Sequence, residues 1–339
     1  MYTMRDILGF LAVVAVATTA IVLLLSPSPC PCDVMSSSNH GEPLALGNGT
    51  QADDPSIKQN LGMVGSSSST PVDDKLPELL RRAAMDDKTI IMTFTNEAWA
   101  ANGSLMDLFL ESFRVGVRTE PLLKHLVIIA VDANAYERCQ QTHPLCYALP
   151  AEEGINYASE QAYMAKDYLN MMWRRNRFQA RILALGYNFV FTDVDIIWLR
   201  NPLLRIPVGA DIAMSSDRFP GDNPYDLEKA ANGGFVYVKA SPRTEAFYVD
   251  WYAAREAYPG NHEQFVFDQV KRELSARHGV RVQFVDTAYL TGFCELSKDF
   301  RKVCTVHANC LVGLKDKLAK LAGVLNEWKQ FMATNALTD

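Results

Sequence analysis

Two carboxylates two residues apart, Asp193 and Asp195, are the clearest chemical feature of this sequence. They directly follow the apolar run 188–192, which predicts a buried strand. In an extended strand the two side chains would lie about 6.8 Å apart, too far to share one ion through bonds near about 2.1 Å. We therefore expect the chain to turn at this pair. Asp195 would then hold Mn²⁺ or Mg²⁺, and Asp193 would reach the same ion through water or a ribose hydroxyl.

The same pair has plainer interpretations, since aspartates after a strand often cap the next turn or helix. The buried strand before the pair and Trp198 shortly after it favour a metal site. His307 offers a third ligand, although such a histidine also serves as an ordinary hydrogen-bonding residue. A phosphohydrolase with Asp193 as nucleophile and Asp195 as acid or base is a rival interpretation. Ile197, where that class usually has threonine, argues against it.

Two other polar stretches have both a functional and a structural interpretation. Asn232, Gly233 and Gly234 precede a predicted strand, and the glycines would let the backbone approach a bound sugar or would form a tight turn. Glu263 and Gln264 begin a predicted helix, where they would face a sugar or where Glu263 would complement the helix dipole.

The N-terminal part of the chain predicts a membrane anchor. Residues 7–25 are apolar except for one glycine and two threonines, and as a helix they would span about 28 Å of a hydrocarbon core about 30 Å thick. A cleaved signal peptide is the alternative, although its apolar region usually has about 7–15 residues. We expect a cytoplasmic tail at 1–6, a transmembrane signal anchor at 7–25, a flexible lumenal stem at 26–74 and the folded domain at 75–339.

Other features of the sequence fit a secretory compartment. Seven cysteines predict one or two disulfides, drawn from the pair Cys139 and Cys146 and the cluster Cys294, Cys304 and Cys310. Asn48-Gly49-Thr50 in the predicted stem is an N-glycosylation acceptor. The formal charge of −6 offers no basic surface for a polyphosphate backbone, so we expect no nucleic acid partner.

Predicted strands alternate with predicted helices from about residue 75 onward, which indicates an α/β domain with a mostly parallel central sheet. The predicted strands are 89–94, 126–131, 188–192, 212–214, 235–238 and 280–285, and the predicted helices are 104–117, 160–185, 243–257, 263–276 and 315–332. Ligands of open α/β sheets bind at the carboxyl ends of the strands. Asp193 lies at such an end.

Several separate motifs occur together in this chain, in this order: Thr95-Asn96-Glu97-Ala98-Trp99, Leu108-Phe109-Leu110-Glu111-Ser112-Phe113, Tyr187-Asn188-Phe189-Val190-Phe191-Thr192-Asp193, Asn232-Gly233-Gly234-Phe235 and His307-Ala308-Asn309-Cys310. Together they resemble the plant nucleotide-diphospho-sugar transferases of glycosyltransferase family 77, over roughly residues 88–328. That family contains retaining arabinosyl- and xylosyltransferases of cell-wall polymers and glycoproteins, with a GT-A nucleotide-sugar-binding fold, in the Golgi.

The resemblance implies a GT-A-type domain of a single-pass type II Golgi membrane protein. The donor would be a nucleotide sugar, a UDP-pentose of arabinose or xylose, the acceptor a glycan or glycoprotein, and the cofactor Mn²⁺ or Mg²⁺. By resemblance, Thr95 and Asn96 lie near the nucleotide, Asp193 and Asp195 at the ribose and the metal, and His307 at the metal.

One stretch departs from the family pattern. Members commonly carry Asp-Gln-Asp where this chain has Glu263-Gln264-Phe265, so the donor pocket would differ or activity would be weaker. We expect Glu263 and Gln264 to act with Asp195 in catalysis, by positioning the sugar or stabilising positive charge on it. The alternative is a membrane-tethered sugar- or nucleotide-binding protein without turnover.

Overall fold

The computed structural model describes residues 75–150, 157–159 and 164–335. The predicted tail at 1–6, anchor at 7–25 and stem at 26–74 lie outside the described residues, as does the acceptor Asn48-Gly49-Thr50. Within the described ranges, none of the helices combines the length and the apolar character needed to cross a bilayer.

The strands of the domain form two sheets. In chain order the strands are β1 (Thr89–Thr95), β2 (Leu126–Ala130), β3 (Cys146–Ala148), β4 (Asn188–Thr192), β5 (Ile196–Trp198), β6 (Ile212–Ser216), β7 (Ala231–Val238), β8 (Val282–Phe284), β9 (Leu290–Gly292) and β10 (Thr305–His307). The larger sheet has the order β3-β2-β1-β4-β7-β6-β8, and the smaller has the order β5-β10-β9. In the larger sheet β7 runs antiparallel to β4 and β6, and the other four pairings are parallel. The predicted mostly parallel α/β sheet is confirmed.

Helices cover both faces of the larger sheet and connect its strands. They are α1 (Leu76–Ala83), α2 (Glu97–Ala100), α3 (Leu105–Val115), α4 (Ala133–Thr142), α5 (Lys166–Ala184), α6 (Pro242–Ala254), α7 (Glu263–His278) and α8 (Leu314–Asn335), with 3₁₀ turns at Glu120–His125 and Pro202–Arg205. The predicted end of α5 is confirmed, because Gly186 takes the left-handed conformation with φ 79° that favours glycine after a helix.

The central strand β4 shows how the apolar sequence positions the acidic pair. Phe189 and Phe191 pack into one hydrophobic cluster, while Val190 packs into the cluster on the opposite face. A strand covered on both faces reads as a continuous apolar run, as β4 does. The strand is thereby fixed in register, and Asp193 follows it at the carboxyl edge of the sheet.

The structure corrects the predicted start of β7. The strand begins at Ala231 rather than at Phe235, so the stretch 232–234 lies within β7 and does not precede it. The physical reason is a register shift at Met214/Ser215, where three additional residues of β7, Gly233 to Phe235, lie between its two stretches of pairing, so β6 and β7 continue to pair at their polar end. The predicted strand start at Phe235 is therefore wrong, and so is the tight turn that was one of the two interpretations of 232–234.

Two disulfides are present in the described domain, which confirms the prediction of one or two. Cys139–Cys146 joins α4 to β3, and Cys294–Cys310 joins the segment after β9 to the segment after β10. Among the described cysteines, Cys304 alone is free, and it is buried.

Candidate active site

The chain turns at Asp193-Val194-Asp195, as predicted. β4 ends at Thr192, the Ile196 amide donates to the Asp193 carbonyl at 3.2 Å, and β5 begins at Ile196. Val194 is buried in the hydrophobic core. The turn therefore lets the carboxylates of Asp193 and Asp195, on either side of Val194, approach each other.

The turn lies next to His307 because β10 pairs with β5, with His307 opposite Ile196. His307 Nε2 is 3.3 Å from Asp195 Oδ1 and 3.8 Å from Asp193 Oδ2. One ligand atom from each of Asp193, Asp195 and His307 lies within 4.8 Å of the other two. The structure thus brings together the three residues predicted as metal ligands.

The chemistry of Asp195 fits a divalent cation. The residue is 2% exposed, and its Oδ1 has no hydrogen-bond partner within the described part of the chain. The approach of His307 Nε2 therefore does not have the geometry of a hydrogen bond. A buried carboxylate oxygen without a hydrogen bond is costly, and a bound cation would satisfy it. Two carboxylates with one imidazole fit Mn²⁺ or Mg²⁺.

Lys317, on the first turns of α8, contacts the other oxygen of Asp195. Its Nζ donates to Asp195 Oδ2 at 2.7 Å. Burial opposes charge on Asp195, but the neighbouring His307 and Lys317 outweigh burial and hold the pKa of this carboxyl well below its usual range. Asp195 is therefore an anionic ligand at neutral pH. Lys317 was not predicted from the sequence, because α8 carries several lysines and nothing in the sequence distinguishes this one from the others.

Arg175, on α5, joins the two acidic parts of the site. Its Nη1 donates to Asp193 Oδ1 at 2.8 Å and its Nη2 to Glu263 Oε1 at 2.5 Å. The guanidinium lies over the Phe191 ring, 4.6 Å from the centroid, and the side chain is 9% exposed. Arg175 was not predicted as a site residue. The available signal was an arginine three residues before Phe178 on the buried face of a helix, where an unpaired charge would be unfavourable.

Glu263 and Gln264 occupy the first turn of α7, as predicted. Glu263 is 4% exposed, and its Oε2 has no hydrogen-bond partner among the residues that the structure describes. Gln264 Oε1 accepts from the Gly233 amide at 2.8 Å. Both residues therefore adjoin β7 beside the acidic turn, while Phe265 is 41% exposed.

The two glycines of β7 have different environments. A Cβ at Gly234 would lie 2.8 Å from His307 Nδ1, whereas a Cβ at Gly233 would meet its nearest atom, Glu263 Oε1, at 3.5 Å. The Gly234 carbonyl also accepts a hydrogen bond from the Asp193 amide at 2.7 Å. Gly234 thus makes room for the imidazole beside the acidic turn.

Asn232 supports the site through a polar network that was not predicted. Its Nδ2 donates to Asp217 Oδ1 at 2.7 Å, and the same oxygen accepts from Asn309 Nδ2 at 2.9 Å. Asn232 Oδ1 accepts from the Gly234 amide at 2.9 Å. Asp217 therefore links β7 to the segment that follows His307.

Thr95 and Asn96 lie at the carboxyl end of β1, which is adjacent and parallel to β4. Asn96 caps α2, since its Oδ1 accepts from the Trp99 amide at 3.0 Å. Its Nδ2 donates to the carbonyls of Tyr157 and Ser159 at 2.9 and 3.0 Å. The Asn96 side chain therefore organises the polypeptide at this edge, and its contact with a nucleotide stays a prediction.

A comparison with known protein families identifies the family of this chain. The model of the nucleotide-diphospho-sugar transferases matches residues 121–321, and the chain belongs to that family. The matched range contains the acidic turn, Arg175, His307 and Lys317, and it leaves out Thr95 and Asn96. The predicted family is confirmed, and membership implies a nucleotide-sugar donor.

Relatives from Arabidopsis thaliana extend the comparison. The chain is 44% identical over 267 residues to the uncharacterized protein At4g15970, covering 78% of this chain and 70% of that protein. It is 22% identical over 166 residues to UDP-D-xylose:L-fucose alpha-1,3-D-xylosyltransferase 3, covering 46% of this chain and 43% of that protein. It is 27% identical over 125 residues to Beta-arabinofuranosyltransferase RAY1, covering 36% of this chain and 23% of that protein.

Proposed function

We propose that this protein is a metal-dependent glycosyltransferase that moves a pentose, xylose or arabinose, from a UDP-sugar to a cell-wall polysaccharide or glycoprotein. One observation carries the proposal. Ligand atoms of Asp193, Asp195 and His307 lie within 4.8 Å of one another at the carboxyl end of β4. The names of the xylosyl- and arabinofuranosyltransferase relatives support a pentose donor.

Asp193, Asp195 and His307 are the residues that would hold Mn²⁺ or Mg²⁺. When bound, such a cation neutralises charge on the diphosphate leaving group. Lys317 adds a second positive charge on the far side of the Asp195 carboxylate. Fixed charges of this kind stabilise a leaving group as its negative charge develops.

Arg175 holds Asp193 and Glu263 in one arrangement through its two nitrogen atoms. Glu263 Oε2, which has no hydrogen-bond partner in the described part of the protein and lies 3.9 Å from His262 Nδ1, would bind a sugar hydroxyl or stabilise positive charge at the anomeric carbon. In the proposed transfer the bond from the anomeric carbon to the diphosphate breaks and a bond to the acceptor oxygen forms. With retention, the acceptor hydroxyl proton passes to the departing diphosphate oxygen, and no dedicated base is needed.

We further propose a type II Golgi membrane location, with the folded domain in the lumen. The apolar run at 7–25 supports the anchor. The disulfides Cys139–Cys146 and Cys294–Cys310 support an oxidising compartment.

A membrane-tethered binding protein without turnover is the second candidate. Phe265 favours it, because an exposed aromatic ring stands beside Glu263 where the resembled family commonly has a carboxylate. The two candidates share nucleotide binding and differ in sugar release.

Calorimetric titration of the full chain with UDP, UDP-xylose and UDP-arabinose, with and without Mn²⁺, tests the proposal. We expect Mn²⁺-dependent binding that Asp195→Asn weakens by about 100-fold or more, because a metal ligand is lost. Asp299→Asn, which alters an aspartate paired with Arg301 away from the site, is the control and should bind as the wild type does. Folded wild-type protein that binds no nucleotide with Mn²⁺ would overturn the proposal, and binding without release of UDP from any donor, even with glycan acceptors, would favour the binding protein.

A further inference from the structure

A cleft of about 330 Å³ lies between α5, the end of α6 and the segment that leads into α7. Three aromatic and three polar side chains carry its chemistry: Trp173, Tyr252, Tyr258, Asn170, Arg255 and Asn261. We call it the aromatic cleft. None of the mechanistic steps above uses it.

The rings of the aromatic cleft are held in place by their neighbours. Trp173 Nε1 donates to the Asn261 carbonyl at 3.0 Å. The Trp173 and Tyr252 rings meet edge to face with centroids 5.8 Å apart, and the Arg255 guanidinium covers Tyr252 at 3.9 Å. A wall fixed in this way binds a ligand without a large ordering cost.

The cleft is connected to the candidate active site through the start of α7. Asn261 lines the cleft and lies two residues before Glu263. Tyr258 also lines it, and its ring contacts that of Phe265 with centroids 6.3 Å apart. Phe265 is 41% exposed on the same helical turn as Gln264. The Phe265 ring therefore extends the aromatic surface of the cleft onto the exposed side of the first turn of α7, while the Glu263 side chain of the same turn lies on the buried side.

The chemistry of this surface matches a neutral sugar chain. A sugar ring presents C–H bonds on its faces, and these pack against the electron-rich faces of aromatic rings. Asn170 and Asn261 offer amide groups that exchange hydrogen bonds with hydroxyls. Arg255 is the one charged side chain among the described residues that line the cleft, and it is stacked on Tyr252. A diphosphate would require more positive charge than Arg255 alone provides. The cleft volume of about 330 Å³ lies at the small end of the range for ligand pockets, about 300 to 1,000 Å³.

We infer that the aromatic cleft binds the acceptor glycan, as a neutral oligosaccharide whose end passes over Phe265 at the N-terminal end of α7. The inference rests on the proposed function, since it gives the transferase its acceptor subsite. It also gives Phe265 a role: an exposed ring in place of a carboxylate extends the sugar-binding surface.

Full-length protein titrated with neutral tetrasaccharides tests the inference, with ligand-observed NMR for detection and calorimetry for affinity. The probes are xylotetraose, cellotetraose, galactotetraose and arabinotetraose. We expect at least one to bind, and Phe265→Ala and Tyr258→Ala each to raise its Kd about 10-fold, the equivalent of about 1.4 kcal/mol. Tyr225→Ala, at a ring that is 53% exposed outside the cleft, is the matched control and should leave the Kd unchanged.

The Mn²⁺-dependent titration with UDP, run on the same samples, separates the two proposals. UDP binding that is equal in wild type and in both cleft variants, with oligosaccharide binding weakened only in the variants, supports the acceptor subsite. If UDP binds but the wild type binds no tetrasaccharide of the panel, or the cleft variants bind it as tightly, the inference is wrong while the proposed function stands. Phe265 is exposed, so its variant tests the inference even if Tyr258→Ala fails to fold.

Discussion

Polar residues follow three neighbouring strands of the larger sheet, β2, β1 and β4. The residues after β2 and β1 have their side-chain oxygens hydrogen-bonded, and the one after β4 does not. After β2, Asp132 has both carboxylate oxygens bonded, one to the Ala135 amide and one to the Glu97 amide, each at 2.8 Å. After β1, Asn96 caps α2 in the same manner. After β4, Asp195 keeps one oxygen buried without a hydrogen bond from any described residue.

The contrast separates polar side chains that stabilise the fold, Asp132 and Asn96, from Asp195, whose arrangement folding alone does not explain. Both kinds lie just beyond the ends of parallel strands, so position in the fold does not distinguish them. The saturated caps lower the free energy of the folded chain. The Asp195 oxygen without a hydrogen bond raises the free energy of the folded chain. A destabilising group of this kind is typical of a functional site, where a bound ligand stabilises it. Three substitutions sharpen or break this comparison.

The largest effect is expected for Arg175→Met, which removes the cation between Asp193 and Glu263. Both carboxylates would lose their positive partner, and Glu263 is buried. Breaking a buried pair from one side typically costs about 3–5 kcal/mol, so we expect the free energy of unfolding to fall by that amount. Urea denaturation followed by circular dichroism measures it.

Arg277→Met is the matched control, because Arg277 pairs with Asp250 and its side chain is 51% exposed. Exposed pairs contribute about 1 kcal/mol or less. Equal losses of unfolding free energy in the two variants would mean that the Arg175 pairs act like an ordinary exposed ion pair. The acidic turn would then not differ from the rest of the fold, and the comparison would fail.

A smaller effect, on metal binding rather than on folding, is expected for Gly234→Ala. The added Cβ would lie 2.8 Å from His307 Nδ1, so the imidazole must leave its present position beside the two aspartates. We expect Mn²⁺ affinity, followed by electron paramagnetic resonance of free Mn²⁺, to fall about 10-fold or more.

Gly233→Ala is the control one residue away, where the nearest atom to the added Cβ is 3.5 Å distant, an ordinary contact. It should change Mn²⁺ affinity much less than Gly234→Ala does. Equal Mn²⁺ affinity in the two variants would show that His307 does not take part in the cation site.

The long elements of the fold were predictable from the sequence, and the short ones were not. β4 and α5 carry sustained apolar patterns; β4 was expected at its observed bounds, and α5 was expected to end within one residue of its observed end but to begin at 160, whereas it begins at Lys166. β5, β9 and β10 have three residues each, too few to display a period of two, so the second sheet was not predicted. α4 was also missed, because few of its side chains are buried and its sequence is mostly polar.

The residues of the candidate site also fall into those that were predictable from local sequence and those that were not. Asp193, Asp195 and His307 were predicted as a set, because residue type and position after a strand carry information in one sequence. Arg175 and Lys317 were not, since each joins the site through contacts between elements that are distant in the chain. Long-range contacts of this kind depend on how the helices pack, which local sequence patterns do not specify.

The smallest effect is expected for Asp132→Ala, which removes a saturated cap. The change deletes the hydrogen bonds to the Ala135 and Glu97 amides, and loss of such a cap typically costs about 1 kcal/mol. Thermal unfolding should show that loss, while Mn²⁺-dependent UDP binding by Asp132→Ala should equal that of the wild type. Asp195→Asn should show the reverse pattern, with Mn²⁺-dependent UDP binding weakened by about 100-fold or more and the fold kept. If Asp132→Ala also abolishes UDP binding, the saturated cap belongs to the functional site, and hydrogen-bond saturation no longer tells the two aspartates apart.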